Sequence, residues 1–255
     1  MGIIIKNDAE IVIMREAGRI TAEVLKILTS SVKPGMRTEE LDAIAEKEPK
    51  RFGAISSFKG YHGYPASVCV SVNDEIVHGI PDKRVLLDGD IVSIDYGVIY
   101  KGFQGDAART VAVGDVSVKS RKLMEVTEGA LKAGIKSARK GNRLGDVSAA
   151  IEEYAESRGY TVVREYTGHG IGRNMHEDPQ IPNTTKSFLG MMRGTGPVLK
   201  KGMTLAIEPM VNIGGWETKV DSNGWTVRTK DGSLSAHFED TIAITDGEPE
   251  VLTST

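Results

Sequence analysis

The amino-acid sequence predicts an α+β fold that is duplicated within a single domain over residues 1–255. The first observation is the order of the predicted elements. Two amphipathic helices precede a set of strands, and the same order recurs later in the chain. The second is a repeat, in which VKPGMRTEELDA at 32–43 aligns with ARKGNRLGDVSA at 138–149, at an offset of 106 residues. The third is that no linker-like segment separates the two copies.

The repeat predicts two related halves, roughly 1–114 and 115–255, each a helix pair followed by strands. With one residue inserted, YHG at 61–63 also aligns with GHG at 168–170. Chance similarity between two amphipathic helices is the alternative explanation. Duplication places a site between the halves, where clefts commonly form.

The first half begins with two predicted helices. Asn7 followed three residues later by Glu10 indicates a capping box, and apolar residues at helical spacing continue to about Ser31. A second helix is expected to start after Thr38, and Pro49 is expected to shorten or kink it.

Composition excludes several classes of protein. A net charge of −3 gives no basic excess, so we expect neither DNA nor RNA as the main partner. The single cysteine, Cys69, cannot form an intramolecular disulfide and suits a reducing cytosol. Without a signal-peptide pattern or an apolar run of membrane-spanning length, we expect a cytoplasmic protein with no membrane partner.

A predicted β-hairpin carries two carboxylates. In GDIVSIDYGVIYKGFQGDAARTVAV, a two-residue turn at Lys101-Gly102 places Asp106 opposite Gly97, with Asp95 two residues further along the same face. The carboxylates are then diagonal neighbours about 7–8 Å apart at Cα and repel each other unless a cation intervenes. An ordinary solvated hairpin face is the alternative for such a pair.

Three further residues favour a bound cation over an ordinary solvated face. Glu208 ends the apolar run MTLAIEPMVNIG, and Glu239 lies inside the strand pattern AHFEDTIAIT, where burial of an unpaired charge is costly. His169 lies in the glycine-rich segment YTGHGIGRNMHEDPQ. Four carboxylates and an imidazole suit a hard or borderline divalent ion such as Mn, Fe(II) or Co, and four carboxylates can carry two ions about 3.5–4 Å apart.

These residues, in this order, resemble the type I methionine aminopeptidases of the pita-bread fold, over nearly the whole chain. The resemblance is carried by GYHGYPASVCVSVNDEIVHGIP, IVSIDYGVIYKGFQGDAART, YTGHGIGRNMHEDPQ, GMTLAIEPMVNIG and WTVRTKDGSLSAHFEDTI. It implies the methionine-specific subfamily of the pita-bread metallopeptidases, with a curved antiparallel sheet covered by two helix pairs. It also implies removal of the initiator methionine from nascent proteins when the second residue is small.

The resemblance implies a role for each site residue. Two metal ions would be bound by five ligands: Asp95, Asp106, His169, Glu208 and Glu239. Asp106 and Glu239 would bridge the ions, and Mn, Fe(II), Co and Zn all accept these ligands. Metal-activated hydroxide would attack the first peptide bond with Glu208 as general base, while His176 would polarise the scissile carbonyl and His78 would contact the scissile nitrogen.

A methionine pocket is implied as well. Its lining would comprise Tyr61, Tyr64, Cys69 and Trp225, with Phe58 and Met175 at neighbouring wall positions, where some relatives carry Cys and Phe respectively. We assign ordinary structural roles to His62 and His237. The resemblance further implies a monomer, a transient ribosome contact, and removal of Met1 from this chain because Gly2 is small.

Two rival functions remain. Proline-specific aminopeptidases and prolidases share the fold and the ligands, but usually carry an additional N-terminal domain. The spacing from His176 to Glu208 leaves no room for the insertion of the type II enzymes. A non-catalytic binding protein of this fold is the third possibility, although such members lose ligands that this chain retains.

Overall fold

The computed structural model describes residues 2–254. Four α-helices are present in that range: α1 (Asp8–Ser31), α2 (Thr38–Lys47), α3 (Val118–Ser137) and α4 (Leu144–Glu156). Short 3₁₀ helices span Glu48–Phe52 and Tyr61–Gly63. None of these described helices combines the length and the hydropathy needed to cross a membrane.

Fifteen strands accompany the helices within the same range. They are β1 (Ile55–Ser56), β2 (Cys69–Val72), β3 (Glu75–Val77), β4 (Ile91–Tyr100), β5 (Phe103–Ala112), β6 (Thr161–Val162), β7 (Thr167–Gly170), β8 (Glu177–Pro182), β9 (Thr204–Ile207), β10 (Met210–Asn212), β11 (Thr218–Val220), β12 (Val227–Thr229), β13 (Ser235–His237), β14 (Glu239–Ala243) and β15 (Glu250–Val251). The main sheet runs β1-β4-β5-β14-β9-β7-β8, with β2 also on β4 and β15 also on β14. Its ladders are antiparallel. Two three-stranded sheets flank it, β13-β10-β6 and β11-β12-β3. The predicted α+β class is confirmed.

The helix boundaries follow the local sequence signals. The Asn7 side chain accepts from the Glu10 amide at 3.0 Å, and the Glu10 carboxylate accepts from the Asn7 amide at 3.1 Å, so the predicted capping box is confirmed. The prediction for Pro49 is also confirmed, since α2 ends at Lys47 and the chain tightens into a 3₁₀ turn. Proline suits the first turn of such a segment, where its missing N–H leaves no bond unmade.

The two helix pairs share the sequence offset. The helix α1 ends at Ser31 and α3 at Ser137, while α2 begins at Thr38 and α4 at Leu144. Both differences equal the repeat spacing of 106 residues. The division of the domain near residue 114 stays a prediction.

Each helix pair covers its own part of the main sheet. One buried cluster joins α1 and α2 to β4 and β5 through residues such as Ile20, Leu41 and Tyr96. A second joins α3 and α4 to β9 and β14 through residues such as Leu123 and Ile207. Because the helices bury one face of the sheet, polar side chains on its other face can line a cavity.

The segment before α1 is held by a buried ion pair. Lys6 Nζ lies 2.5 Å from Glu177 Oε2, and each side chain is only 3% exposed. The other oxygen of Glu177 accepts from the Asn174 amide at 3.2 Å. The pair therefore ties the N-terminal segment to β8, next to His176.

We expect Lys6→Met to destabilise the protein by about 3 kcal/mol or more, because it leaves the Glu177 charge buried without its cation. Urea unfolding followed by circular dichroism would measure the loss. As a matched control, Lys59→Met removes an exposed lysine 2.7 Å from Glu46 and should cost less than about 1 kcal/mol. Equal losses from the two variants would contradict the prediction.

Candidate metal centre and substrate cavity

Four carboxylates come from neighbouring strands at the centre of the main sheet. Asp95 lies in β4, Asp106 in β5 and Glu239 at the first position of β14, while Glu208 directly follows β9. The strand order β4-β5-β14-β9 makes these elements consecutive neighbours. Four segments that are far apart in sequence therefore deliver one acidic side chain each to the same region.

Strand register places the first three carboxylates on one face. The β4–β5 hairpin turns at Lys101 (φ 47°) and Gly102 (φ 77°), and Gly97 pairs with Asp106 as the sequence predicted. Ala108 pairs with Asp95 on one side and with Glu239 on the other. Since alternate residues share a face, Asp106 points to the same side as Ala108 and its partners.

The register also brings Glu208 to this face. Ile207 pairs with Asp240, and Met210 pairs with His237. The pairing continues in the same register from one ladder to the next. Glu208, which follows Ile207, therefore lies opposite Glu239, which precedes Asp240. Opposed carboxylates on adjacent strands repel each other unless a cation lies between them.

The carboxylates are buried and incompletely bonded. Within residues 2–254, Asp95 Oδ1, Asp106 Oδ1 and Glu239 Oε1 are buried without a hydrogen-bond partner. Burial raises the pKa of Asp106 to about 7. Burial and the neighbouring carboxylates raise the pKa of the other three carboxyl groups. Unpaired buried acceptors are costly, so this arrangement suits a group that supplies positive charge.

His169 in β7 is oriented towards the carboxylates. Its Nδ1 donates to the Gly170 carbonyl at 2.9 Å, which leaves a lone pair on Nε2. That Nε2 lies 3.4 Å from Glu208 Oε1 and 4.0 Å from Asp106 Oδ2. Desolvation, together with the neighbouring His176 ring, lowers the pKa of His169 to about 3, so the ring is neutral near pH 7.

Glycines permit this close packing. A Cβ at Gly168 would lie 2.4 Å from the Ala206 carbonyl oxygen, and one at Gly170 would lie 2.2 Å from the Asp178 carbonyl oxygen. Larger residues would push β7 away from its neighbours. The glycine-rich sequence around His169 is therefore required by the approach of adjacent backbones.

The donor set can hold a metal ion. One ligand atom each from Asp106, His169 and Glu239 lie within 4.8 Å of one another, and all three residues are buried. Carboxylate oxygens with a neutral imidazole suit first-row divalent ions. The orphaned oxygens and the lone pair of His169 Nε2 are donors that such an ion requires.

A single cavity contains every residue that the sequence assigned to the site. Its lining comprises Phe58, Tyr61, His62, Tyr64, Cys69, His78, Asp95, Asp106, His169, Met175, His176, Glu208, Trp225 and Glu239. The sequence analysis did not place His62 here, although its position next to Tyr61 in the same motif was a usable signal. The structure thus brings together all thirteen assigned residues and adds one histidine.

His237 lies just behind the cavity. Its Nε2 is 4.0 Å from Glu208 Oε2, and the ring is buried with neither nitrogen hydrogen-bonded to any residue of the described chain. Its place two residues before Glu239 in a strand pattern, and so on the same face, was the only sequence signal for this location.

Part of the cavity wall is aromatic and contains sulfur. The buried Tyr64 hydroxyl donates to the Gly79 carbonyl at 2.8 Å, and the Tyr64 ring lines the cavity beside Trp225, with 5.1 Å between centroids. Cys69 pairs with Asp95, and burial raises the pKa of its thiol, which stays neutral. Met175 is also buried in this wall.

Two further histidines line the cavity, His78 and His176. His78, at φ 59°, places its ring 6.5 Å from that of Trp225, and desolvation lowers its pKa to about 4. His176 lies with its ring 4.3 Å from that of His169, and its Nδ1 is 2.7 Å from the Tyr61 hydroxyl. Both imidazoles can therefore contact a ligand bound in this cavity.

Comparison with known proteins gives a consistent result. The model of metallopeptidase family M24 matches residues 12–246. A methionine aminopeptidase of Clostridium acetobutylicum is 54% identical over 252 residues, which cover 98% of this chain and 98% of that protein. The crystal structure of a methionine aminopeptidase from Thermotoga maritima superposes with a TM-score of 0.96 at 46% identity and full coverage of both chains.

The likeness to the proline-specific branch is weaker. A prolidase from Pyrococcus furiosus superposes with a TM-score of 0.79 at 26% identity, and the match covers 99% of this chain but 66% of that one. The shared fold confirms the predicted pita-bread architecture, while identity and coverage separate the two branches. The chain therefore belongs to metallopeptidase family M24, and within that family to the methionine aminopeptidases.

Proposed function

We propose that this protein removes the initiator methionine from nascent polypeptides whose second residue is small, by metal-dependent hydrolysis. One observation carries the proposal: a single cavity is lined both by four carboxylates with His169 and by aromatic and sulfur-containing side chains. The first arrangement suits activation of water, and the second suits an apolar side chain. Together they define where the first peptide bond of a substrate would lie.

The residues that would hold two divalent ions are Asp95, Asp106, His169, Glu208 and Glu239. When bound, the ions supply Lewis-acid charge and a water of lowered pKa. The donor set favours Mn, Fe(II) or Co, and it also accepts Zn. The buried oxygens that lack partners among the described residues support this assignment.

Glu208 is the proposed general base. It lies within 4.0 Å of two imidazole nitrogens, with Oε1 towards His169 and Oε2 towards His237. A carboxylate so placed can take a proton from the attacking water and pass it to the leaving amine. His176 donates to the carbonyl oxygen of the scissile bond, and His78 contacts its nitrogen.

The methionine side chain would occupy the aromatic and sulfur-containing part of the cavity. The proposed lining is Tyr61, Tyr64, Cys69 and Trp225, with Phe58 and Met175 beside them. Aromatic rings and sulfur atoms pack well against a flexible thioether. The substrate amine then lies near the carboxylates, which explains why cleavage stops after one residue.

We further propose that the enzyme acts as a monomer in the cytoplasm, with transient contact to the ribosome as chains emerge. A single cysteine, buried in the cavity wall, suits a reducing compartment. Action on nascent chains follows from the substrate itself, because an initiator methionine is exposed only at a new N-terminus.

The decisive test uses two peptides, Met-Gly-Met and Ala-Pro-Gly. Chelator-stripped protein is supplied with Mn or Co, and amine release is measured. Metal-dependent cleavage of the first peptide alone is the expected result. Cleavage of the second alone would move the protein to the proline-specific branch, and cleavage of neither, with metal bound, would favour a non-catalytic binding protein.

The chain is a substrate of its own proposed activity. Met1 lies outside the described residues, and Gly2 is small enough to permit cleavage. We expect the mature protein to begin at Gly2 after expression in cells with active enzyme. Intact-mass analysis would measure this, and Gly2→Lys, with a large charged second residue, should retain Met1. Full retention of Met1 ahead of Gly2 would count against the proposal.

A further inference from the structure

Two neighbouring imidazoles in the cavity have chemically different partners. The rings of His169 and His176 lie 4.3 Å apart between centroids. Each uses Nδ1 for a hydrogen bond, His169 with the Gly170 carbonyl and His176 with the Tyr61 hydroxyl. A neutral imidazole carries one proton, and the partner of one nitrogen determines which nitrogen holds it.

The hydrogen-bond partner of His169 fixes its tautomer. A carbonyl oxygen only accepts, so the ring proton of His169 must be on Nδ1. Its Nε2 then presents a lone pair on the side of Asp106 and Glu208. This tautomer suits a metal ligand and cannot donate from Nε2.

The partner of His176 permits the opposite state. The Tyr61 hydroxyl lies 2.7 Å from His176 Nδ1 and can donate to an unprotonated nitrogen. Desolvation raises the pKa of Tyr61, so the phenol keeps its proton. A phenol is a stronger acid than a neutral imidazole N–H, which favours the O–H···N direction over its reverse.

We propose that Tyr61 is a positioning residue that holds His176 in the Nε2–H tautomer, opposite to that of its neighbour His169. His176 Nε2 then always offers a proton to the carbonyl oxygen of the scissile bond. Without the phenol, the ring divides between two tautomers, and only one can donate. The inference deepens the proposed function and rests on it for the role of His176.

The backbone around Tyr61 is shaped to make this contact. Gly60 and Gly63 each have φ 86°, and His62 has φ 48°, so three of four consecutive residues occupy the left-handed region. The Tyr61 amide donates to the Phe58 carbonyl at 2.9 Å, and the Tyr64 amide donates to the Tyr61 carbonyl at 2.9 Å. A non-glycine residue at positive φ is costly, so the turn is maintained for a specific placement of its side chains.

Nitrogen-15 NMR of histidine-labelled enzyme, loaded with diamagnetic Zn²⁺, reads the tautomer directly. The chain has five histidines, and a His176→Asn spectrum assigns the signal. We expect wild-type His176 to be protonated at Nε2 and unprotonated at Nδ1. In Tyr61→Phe the two nitrogens should shift towards a mixture. A wild-type proton on Nδ1, or an unchanged tautomer in Tyr61→Phe, would overturn the proposal.

Kinetics separate positioning from the shaping of the methionine pocket. Tyr61→Phe keeps the ring, so KM for Met-Gly-Met should stay within about twofold while kcat falls about two- to tenfold, the range expected for one lost hydrogen bond. A rise in KM with unchanged kcat would show that Tyr61 only lines the pocket and would overturn the proposal.

The matched control for the spectrum is Tyr64→Phe. Tyr64 also lines the cavity, but its hydroxyl donates to the Gly79 carbonyl, so its loss should leave the His176 tautomer unchanged. The NMR spectrum is recorded without a peptide. If the enzyme cleaves no peptide, the proposed function is refuted, but the tautomer of His176 still tests the role of Tyr61.

Discussion

Glu208→Gln should lower kcat for Met-Gly-Met by about 10³-fold at saturating metal, with KM changed by less than about threefold. The amide keeps the shape of the side chain and one oxygen, but it cannot accept the proton of the attacking water. Steady-state kinetics with Mn or Co, with metal binding measured in parallel by calorimetry, would separate loss of the base from loss of the ion.

Glu152→Gln is the matched control for this variant. Glu152 is also a buried carboxylate, at 7% exposure, but its partners are Thr185 and Lys186, and it does not line the cavity. Its loss should reduce stability and keep kcat within about twofold. Retention of more than a tenth of wild-type kcat by metal-loaded Glu208→Gln would exclude Glu208 as the base.

Metal-free protein should become less stable as pH rises from 6.5 to 8. The cavity carboxyl groups have a raised pKa in the folded state, about 7 for Asp106, because of burial. The folded state therefore binds more protons than the unfolded state, and the stability present at low pH is lost as pH rises through the folded pKa. One retained proton over this interval lowers the melting temperature by about 5 °C.

The choice of pH interval reduces an opposing contribution from histidines. His78, His169 and His237 have a lowered pKa in the folded state, so they add stability as pH rises from about 4 to 6.5. At pH 6.5 the unfolded rings are about half protonated, so their contribution ends only near pH 7.5, and the carboxyl groups dominate because several of them keep their protons in the folded state. Differential scanning fluorimetry with a chelator should show the fall, and saturating Mn should abolish it.

Two variants test the origin of this pH effect. Glu239→Gln removes one buried titratable carboxyl group, so it should raise the metal-free melting temperature at pH 8 and flatten its pH dependence. Asp115→Asn removes a carboxylate whose side chain is 84% exposed, and it should leave the curve unchanged. A metal-free protein that is more stable at pH 8 than at pH 6.5 would contradict the explanation.

Local signals in the sequence were sufficient for several elements. The capping box of Asn7 and Glu10, the change of helix type at Pro49 and the two-residue turn at Lys101-Gly102 all depend on residues within a few positions of one another. The turn also decided register, and register placed Asp106 opposite Gly97 and Asp95 diagonal to it. Short-range geometry of this kind is readable from the chain alone.

By itself, the sequence determined the helix pairs, the central hairpin and the set of residues that could form a metal and substrate site, because capping, periodicity and turn chemistry are local. Only the tertiary structure decided that Ala108 lies between Asp95 and Glu239, that His237 lies behind Glu208, and that Tyr61 reaches His176. Those relations depend on which strands become neighbours and on how a turn with positive φ angles directs a side chain. Both are set by packing between segments distant in sequence, which no local pattern encodes.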